Sequence, residues 1–270
     1  MEGSEIETSA ESLGSSIVYH VVNDILGFVL FMYQQIPSIL PDMSLEFATI
    51  LGNCKELEAE LAKPDLKAAS RRSNLAQLRE LKQVVRRREK FMNMVSRLQS
   101  AIGLVIKVCP DIPEVMLVLG GSVLRPLCAY SLCFLHGNVV SRGESDLSRS
   151  KAVDVLSRKA IRALISQSAG SSSCPGSMKL FLLVKAPSSF NQHLDYLPKR
   201  DFKISKKVAP FRLLFRCRKH IQDNGTMTDS QTSSFNCLSR DLSKDNEDLI
   251  WFQCRHVIKG LACRSPTSEE

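Results

Sequence analysis

Apolar residues along this chain recur with two periods, and the change from one to the other divides it. Val18, Val21, Val22, Ile25, Phe28, Val29 and Met32 return at spacings of three and four, which predicts a helix over about 16–35, ended by Pro37. Leu26, Leu30 and Phe31 add apolar residues off that stripe, so this helix is expected to be central and buried on most sides. Residues 42–65 carry weaker helical character. Beyond Pro64, Leu75, Leu78, Leu81, Val85, Met92, Val95, Leu98 and Ile102 form one stripe of a long helix starting near residue 68. A third helix is expected over 151–167, with Val153, Leu156, Ala160 and Leu164 on one face. Val155, Ile161 and Ile165 continue the apolar surface around it, more than one core contact needs. That edge is either sandwiched in the chain's own core or presented to a partner.

Later in the chain the period falls to two. In PFRLLFRCR, Phe211, Leu213, Phe215 and Cys217 alternate with Arg212, Arg216 and Arg218. In DLIWFQCRHVIKG (248–260), Ile250, Phe252, Cys254 and Ile258 fall on one side and Gln253, Arg255 and Lys259 on the other, joined by Trp251, the only Trp. Phe202 and Ile204 alternate with Lys203 and Ser205 in the same way. EVMLVLGG (114–121) and MKLFLLVK (178–185) are apolar almost throughout, as strands buried on both faces are. Residues 122–138 show no clear pattern. The expectation is one α+β domain over 16–262, with three main helices packed on a mostly antiparallel β-sheet that closes only when the Trp251 strand arrives. Residues 1–15 and 263–270 read as disordered tails, and 168–177 and 219–234 as flexible loops.

Composition narrows the function less than the pattern narrows the fold. A formal net charge of +8 permits acidic partners, nucleic acid or an anionic surface without choosing among them. Arg71, Arg72, Arg79, Lys82 and the RRREK run from Arg86 to Lys90 lie largely away from the apolar stripe of the long helix. One reading makes them a phosphate-binding or nuclear-import patch, and hence the chain a basic nucleic-acid-binding protein. The simpler reading is a solvated outer face, since no aromatic residues interleave as a stacking platform requires. Nine Cys without a CxxC pair, behind an acidic, polar start, suggest reduced thiols in the cytosol or nucleus. His20, Asn23 and Asp24 interrupt the apolar run at 17–33, so no membrane span is expected.

Candidate chemistry is sparse. The Gly120-Gly121 pair lacks the GxxxxGK[ST] and GxGxxG contexts of a phosphate loop and reads as a tight turn, and no G-x-S-x-G elbow is present. Cys217, His220, Cys237 and Cys254 match no standard zinc spacing. No catalytic, cofactor-binding or metal-ligating residue is assigned, and an intracellular, non-enzymatic interaction domain is expected.

Four blocks then carry a resemblance: MYQQIP (32–37), DIPEVMLVLGGSVLRP (111–126), YLPKRDFKI (196–204) and DLIWFQCRHVIKG (248–260). In this order they resemble the comet family, adaptors that are HORMA-like domains and bind the spindle-checkpoint HORMA protein. The last block, with IWFQ and the KG beyond it, is the most specific. This chain departs from the family in a shorter N-terminal tail and a longer polar loop at 219–234. The resemblance implies a HORMA-like fold and a nuclear, chromosomal or kinetochore-associated adaptor, with the cytoplasm also open to it. Such an adaptor presents the closed form of the spindle-checkpoint HORMA protein, or meiotic HORMA proteins, to the pachytene-checkpoint AAA+ ATPase. It needs no cofactor, membrane or nucleic acid. It further implies a HORMA-partner interface at Arg158, Ile161, Arg162 and Ile165, with Met32 and Tyr33 beside it, and an ATPase contact at Pro198 and Lys199 on an exposed turn.

Overall fold

The protein was analysed as a computed structural model that describes residues 3–8, 13–64, 67–136, 146–166, 176–191, 194–205, 207–217 and 248–261. In chain order the elements are β1 (Gly3–Thr8), α1 (Ser15–Met32), α2 (Leu40–Leu61), α3 (Ala68–Val108), β2 (Glu114–Ser122), β3 (Arg125–Leu135), α4 (Asp146–Ser166), β4 (Lys179–Pro187), β5 (Tyr196–Lys199), β6 (Phe211–Cys217), β7 (Leu249–Cys254) and β8 (Ile258–Lys259). The eight strands form one sheet in the order β1-β6-β3-β2-β4-β7-β5, with β8 added to the end of β4. The class is α+β. Pairing is antiparallel except around β6, which runs parallel to both β1 and β3.

The centre of the sheet is buried on both faces, which is why β2 and β4 read as unbroken apolar runs. Val115, Leu117 and Leu119 of β2, and Leu180, Leu182 and Val184 of β4, join the main core under α1, α3 and α4. Met116, Val118, Phe181 and Leu183 form a smaller core on the opposite face, covered by Phe202, Ile204, Trp251 and Val257. Phe202 and Ile204 were expected in a strand; they lie instead in the irregular stretch after β5, and the Phe202 ring meets Trp251 edge-on at 5.9 Å. Their alternation reflects docking on the sheet rather than pairing within it. Gly120 is required by close approach rather than by a turn: a Cβ there would lie 2.7 Å from the Arg125 carbonyl oxygen, where the β2–β3 ladder shifts register.

Four helices are present among the described residues rather than three. The additional one is α2, which gives the core only Met43, with Leu40 packed against it. Its other buried side chain, Cys54, lies in the arm it builds with the first half of α3. Two ion pairs run along that arm, an exposed one between Lys82 and Glu58 at 2.7 Å and a half-buried one between Arg88 and Glu46 at 2.7 Å; solvent-screened pairs of this kind contribute little. The second half of α3, from Phe91 to Ile106, is core. A second correction concerns the N-terminus: Gly3–Thr8, expected in a disordered tail, forms β1. Ile6 is buried there, and Arg216 of β6 is clamped between Glu5 and Glu7. The expected loops at 168–177 and 219–234 fall almost wholly outside the described residues, and the tail at 263–270 does so entirely.

Burial accounts for the apolarity of α1. Its 18 residues, at a mean hydropathy of 1.5, are long and apolar enough to cross a membrane. Eight of its aliphatic side chains, among them Val22, Ile25, Leu26 and Leu30, are nonetheless at most 2 % exposed inside the protein. The helix ends at Met32, five residues before Pro37. Gln34 adopts φ 53°, its N–H reaches the Phe31 carbonyl at 2.9 Å, and the Gln35 N–H reaches the Leu30 carbonyl at 2.9 Å. This is a Schellman closure with Gln where Gly is usual, and it turns Gln35 inward.

Gln35 then ties three parts of the chain together. Its side-chain amide donates to the carbonyls of Tyr33 at 2.9 Å and Gly176 at 3.1 Å, and its Oε1 accepts from the Met178 N–H at 2.6 Å. Its own carbonyl accepts from Leu261 N–H at 2.8 Å, while Gly260 N–H donates to the Met178 carbonyl at 2.9 Å. The end of the last strand is thus seated on the end of the first helix, and MYQQIP meets IKG.

Candidate functional site

The outer face of α4 is the most partner-ready apolar surface among the residues singled out from sequence. Leu156, Ala160 and Leu164 are fully buried in the core, and Ser157 fixes the helix to α1 by donating to Asp24 Oδ2 at 2.6 Å. The expected apolar edge points away: Val155 is 48 % and Ile165 58 % exposed, Ile161 is half-buried between them, and Arg158 and Arg162 are exposed beside them. Helical spacing places Arg158, Ile161, Arg162 and Ile165 on one side of two successive turns. Lys159 lies off this face and donates to the Glu7 carbonyl of β1 at 2.8 Å.

The α1 residues expected beside this face divide. Met32 is half-buried against the core. Tyr33 is 5 % exposed, with its hydroxyl hydrogen-bonded to that of Tyr130 at 2.9 Å, so it serves the core and cannot be a contact residue. Sequence reasoning missed Phe31, which is 40 % exposed and lies two turns beyond Asp24 on the side of α1 toward α4. The available signal was its position outside the buried stripe.

Pro198 and Lys199 are both exposed, but in the edge strand β5 rather than on a turn; they pair with Phe252 and Trp251 of β7. An edge strand tolerates Pro because one row of its backbone groups faces outward. Tyr196 holds the strand from inside, with its hydroxyl on the Ala101 carbonyl at 2.9 Å, and His256 Nε2 meets Asp195 Oδ1 at 2.7 Å at the adjoining corner.

The nucleophiles and metal-ligand types in the described residues are arranged structurally. Ser131 Oγ donates to Glu114 Oε1 at 2.6 Å and lies 3.4 Å from Cys133 Sγ, whose thiol burial pushes up. Of the four residues weighed for zinc, His220 and Cys237 lie outside the described residues, Cys217 packs against the main core and Cys254 is fully buried within it. Among the described residues no three His, Cys, Asp or Glu converge.

Burial pushes the Cys254 thiol up from 9.0 to about 12, and it also raises Tyr130 and Tyr196 above the ordinary phenol value. Each group holds its proton more tightly folded than unfolded. Their stabilising contribution is therefore complete below pH 9.0 and is lost as the pH climbs toward about 12. The urea midpoint is expected to be level near neutrality and to fall through this alkaline window, less steeply in Cys254→Ala. A wild-type midpoint that stays level to about pH 11 contradicts this. Neither the protein-family models nor the curated proteins contain a match to this chain.

Proposed function

We propose that this chain is a non-enzymatic adaptor of the comet type. In this reading it is a HORMA-like domain that binds a closed-state HORMA protein and presents it to a hexameric AAA+ ATPase of the pachytene-checkpoint kind. The spindle-checkpoint HORMA protein is the first partner and meiotic HORMA proteins are further ones, so the protein acts in checkpoint silencing or chromosome-axis remodelling in the nucleus. Catalysis belongs to the ATPase, and this chain supplies geometry.

The observation that carries the reading is the separation of two exposed surfaces on one sheet. The helix α4 packs beside α1 and over β1, at one edge, while Pro198 and Lys199 lie on β5, at the other. Six strand spacings separate those edges, roughly 29 Å, so two macromolecules can be held at once without competing. On α4, Ile165 and Val155 offer apolar anchors with Arg158 and Arg162 alongside, the composition of a docking face. Met32 and Phe31 border it; Tyr33 does not take part.

The ATPase half is tested by Pro198→Ala combined with Lys199→Ala. Both side chains are exposed, so the fold and HORMA capture are expected to be unchanged, while stimulation of the ATPase's remodelling of the closed HORMA protein is lost. Remodelling at the wild-type rate by this double variant would remove β5 from the ATPase interface.

A further inference from the structure

We propose that the outward stripe of α3 docks an acidic α-helix of a protein partner, one whose carboxylates recur every seven residues. The helix carries ten Lys and Arg against two Glu, a net +8 that equals the formal charge of the whole chain. That charge is also ordered. Arg72, Arg79, Arg86, Lys90 and Arg97 are all exposed, and their intervals of seven, seven, four and seven residues place them in one row along the helix. At 1.5 Å per residue the row is about 37 Å long.

A merely solvated face mixes signs; this one does not. Glu80 and Glu89 fall to either side of the row. The two ion pairs of the arm use Lys82 and Arg88, on the side toward α2. No cation of the row pairs with a carboxylate among the described residues. Like charges a turn apart, as at Arg86 and Lys90, destabilise a bare helix, and an opposing row of carboxylates relieves that repulsion.

The spacing chooses the occupant. Carboxylates seven residues apart on a second helix stand about 10.5 Å apart, in step with Arg72, Arg79 and Arg86; the four-residue interval to Lys90 leaves Lys90 and Arg97 about 4.5 Å out of that step, a gap their long side chains can span. Leu75, 39 % exposed, and half-buried Met94 border the row and give the pair an apolar margin. Nucleic acid fits less well. The only aromatic side chain of α3, Phe91, is fully buried, so single-stranded bases have nothing to stack on. The backbones of a duplex wind about its axis once in about 34 Å, so a straight row of this length meets them only in part. The inference rests on α3 alone, and its failure leaves the reading of α4 and β5 untouched.

The test uses the full chain and a fluorescent helical peptide with Glu at every seventh position, with binding read by anisotropy at low and moderate salt. Wild type is expected to bind it. Arg79→Glu with Arg86→Glu and Arg97→Glu is expected to lose at least about tenfold and to gain binding to the same peptide with Lys in place of Glu. Circular dichroism should be unchanged, because all three side chains are exposed. Absence of binding by wild type, equal binding by the triple variant, or tighter binding of a 20-base-pair duplex than of the peptide overturns the proposal, the last by assigning the row to phosphates.

Discussion

Gly260→Ala is expected to destabilise the fold by about 2–4 kcal/mol, a large loss for a single methyl group. The added Cβ would lie 2.2 Å from Gln35 Oε1 and 3.0 Å from the Gln35 Cβ and Cδ. Gln35 is 1 % exposed, and its amide is held by Tyr33, Gly176 and Met178, so it cannot swing aside freely. Moving it strands the buried Met178 N–H, a loss of about 1–3 kcal/mol, and overpacking adds to that. Urea unfolding measures the total, and a second background isolates the cause. On Gln35→Ala the overlaps with Oε1 and Cδ are gone and only the tight approach to the Gln35 Cβ at 3.0 Å remains, so the same glycine substitution should cost much less there. A loss below about 0.5 kcal/mol in the single variant would show that the end of the last strand is not seated on Gln35.

Ile165→Arg is expected to leave stability unchanged and to weaken capture of the closed HORMA protein by about a hundredfold, the weight of one central anchor. Ile165 is chosen over Ile161 because it is 58 % exposed, whereas half-buried Ile161 would mix lost binding with lost packing. Undiminished capture by the folded variant would remove α4 from the interface.

Where one face of an element is buried along its whole length, sequence alone was a good guide. In β6, Phe211, Leu213, Phe215 and Cys217 all face the main core, and in β7 and β8, Ile250, Phe252, Cys254 and Ile258 do the same, with Trp251 serving the opposite face. Reading failed where tertiary context decides. Residues 129–134 of β3 are buried on both faces, which hides the alternation of Tyr130, Leu132 and Phe134 with Ala129, Ser131 and Cys133. The strand β1 buries Ile6 alone among its described side chains, and it depends on β6, some 200 residues later, for pairing and for Arg216. The α2 helix buries only Met43 and Cys54, too few to mark a stripe.

The candidate site divides along the same line. The surplus apolar edge of α4 was legible, because periodicity shows when a helix carries more apolar surface than a core can use. The burial of Tyr33 was not, because it depends on Tyr130, 97 residues away. Nor was the meeting of Gln35 with Gly260, although both lie in blocks that sequence had singled out.

The central claim is that this chain recognises one conformation of a HORMA protein. The most direct measurement is capture of the purified spindle-checkpoint HORMA protein, in its closed and open forms, by the immobilised full chain at low and moderate salt. The expected result is selective capture of the closed form that survives moderate salt, as an apolar interface should. Capture of neither form, or equal and salt-sensitive capture of both, would contradict the account.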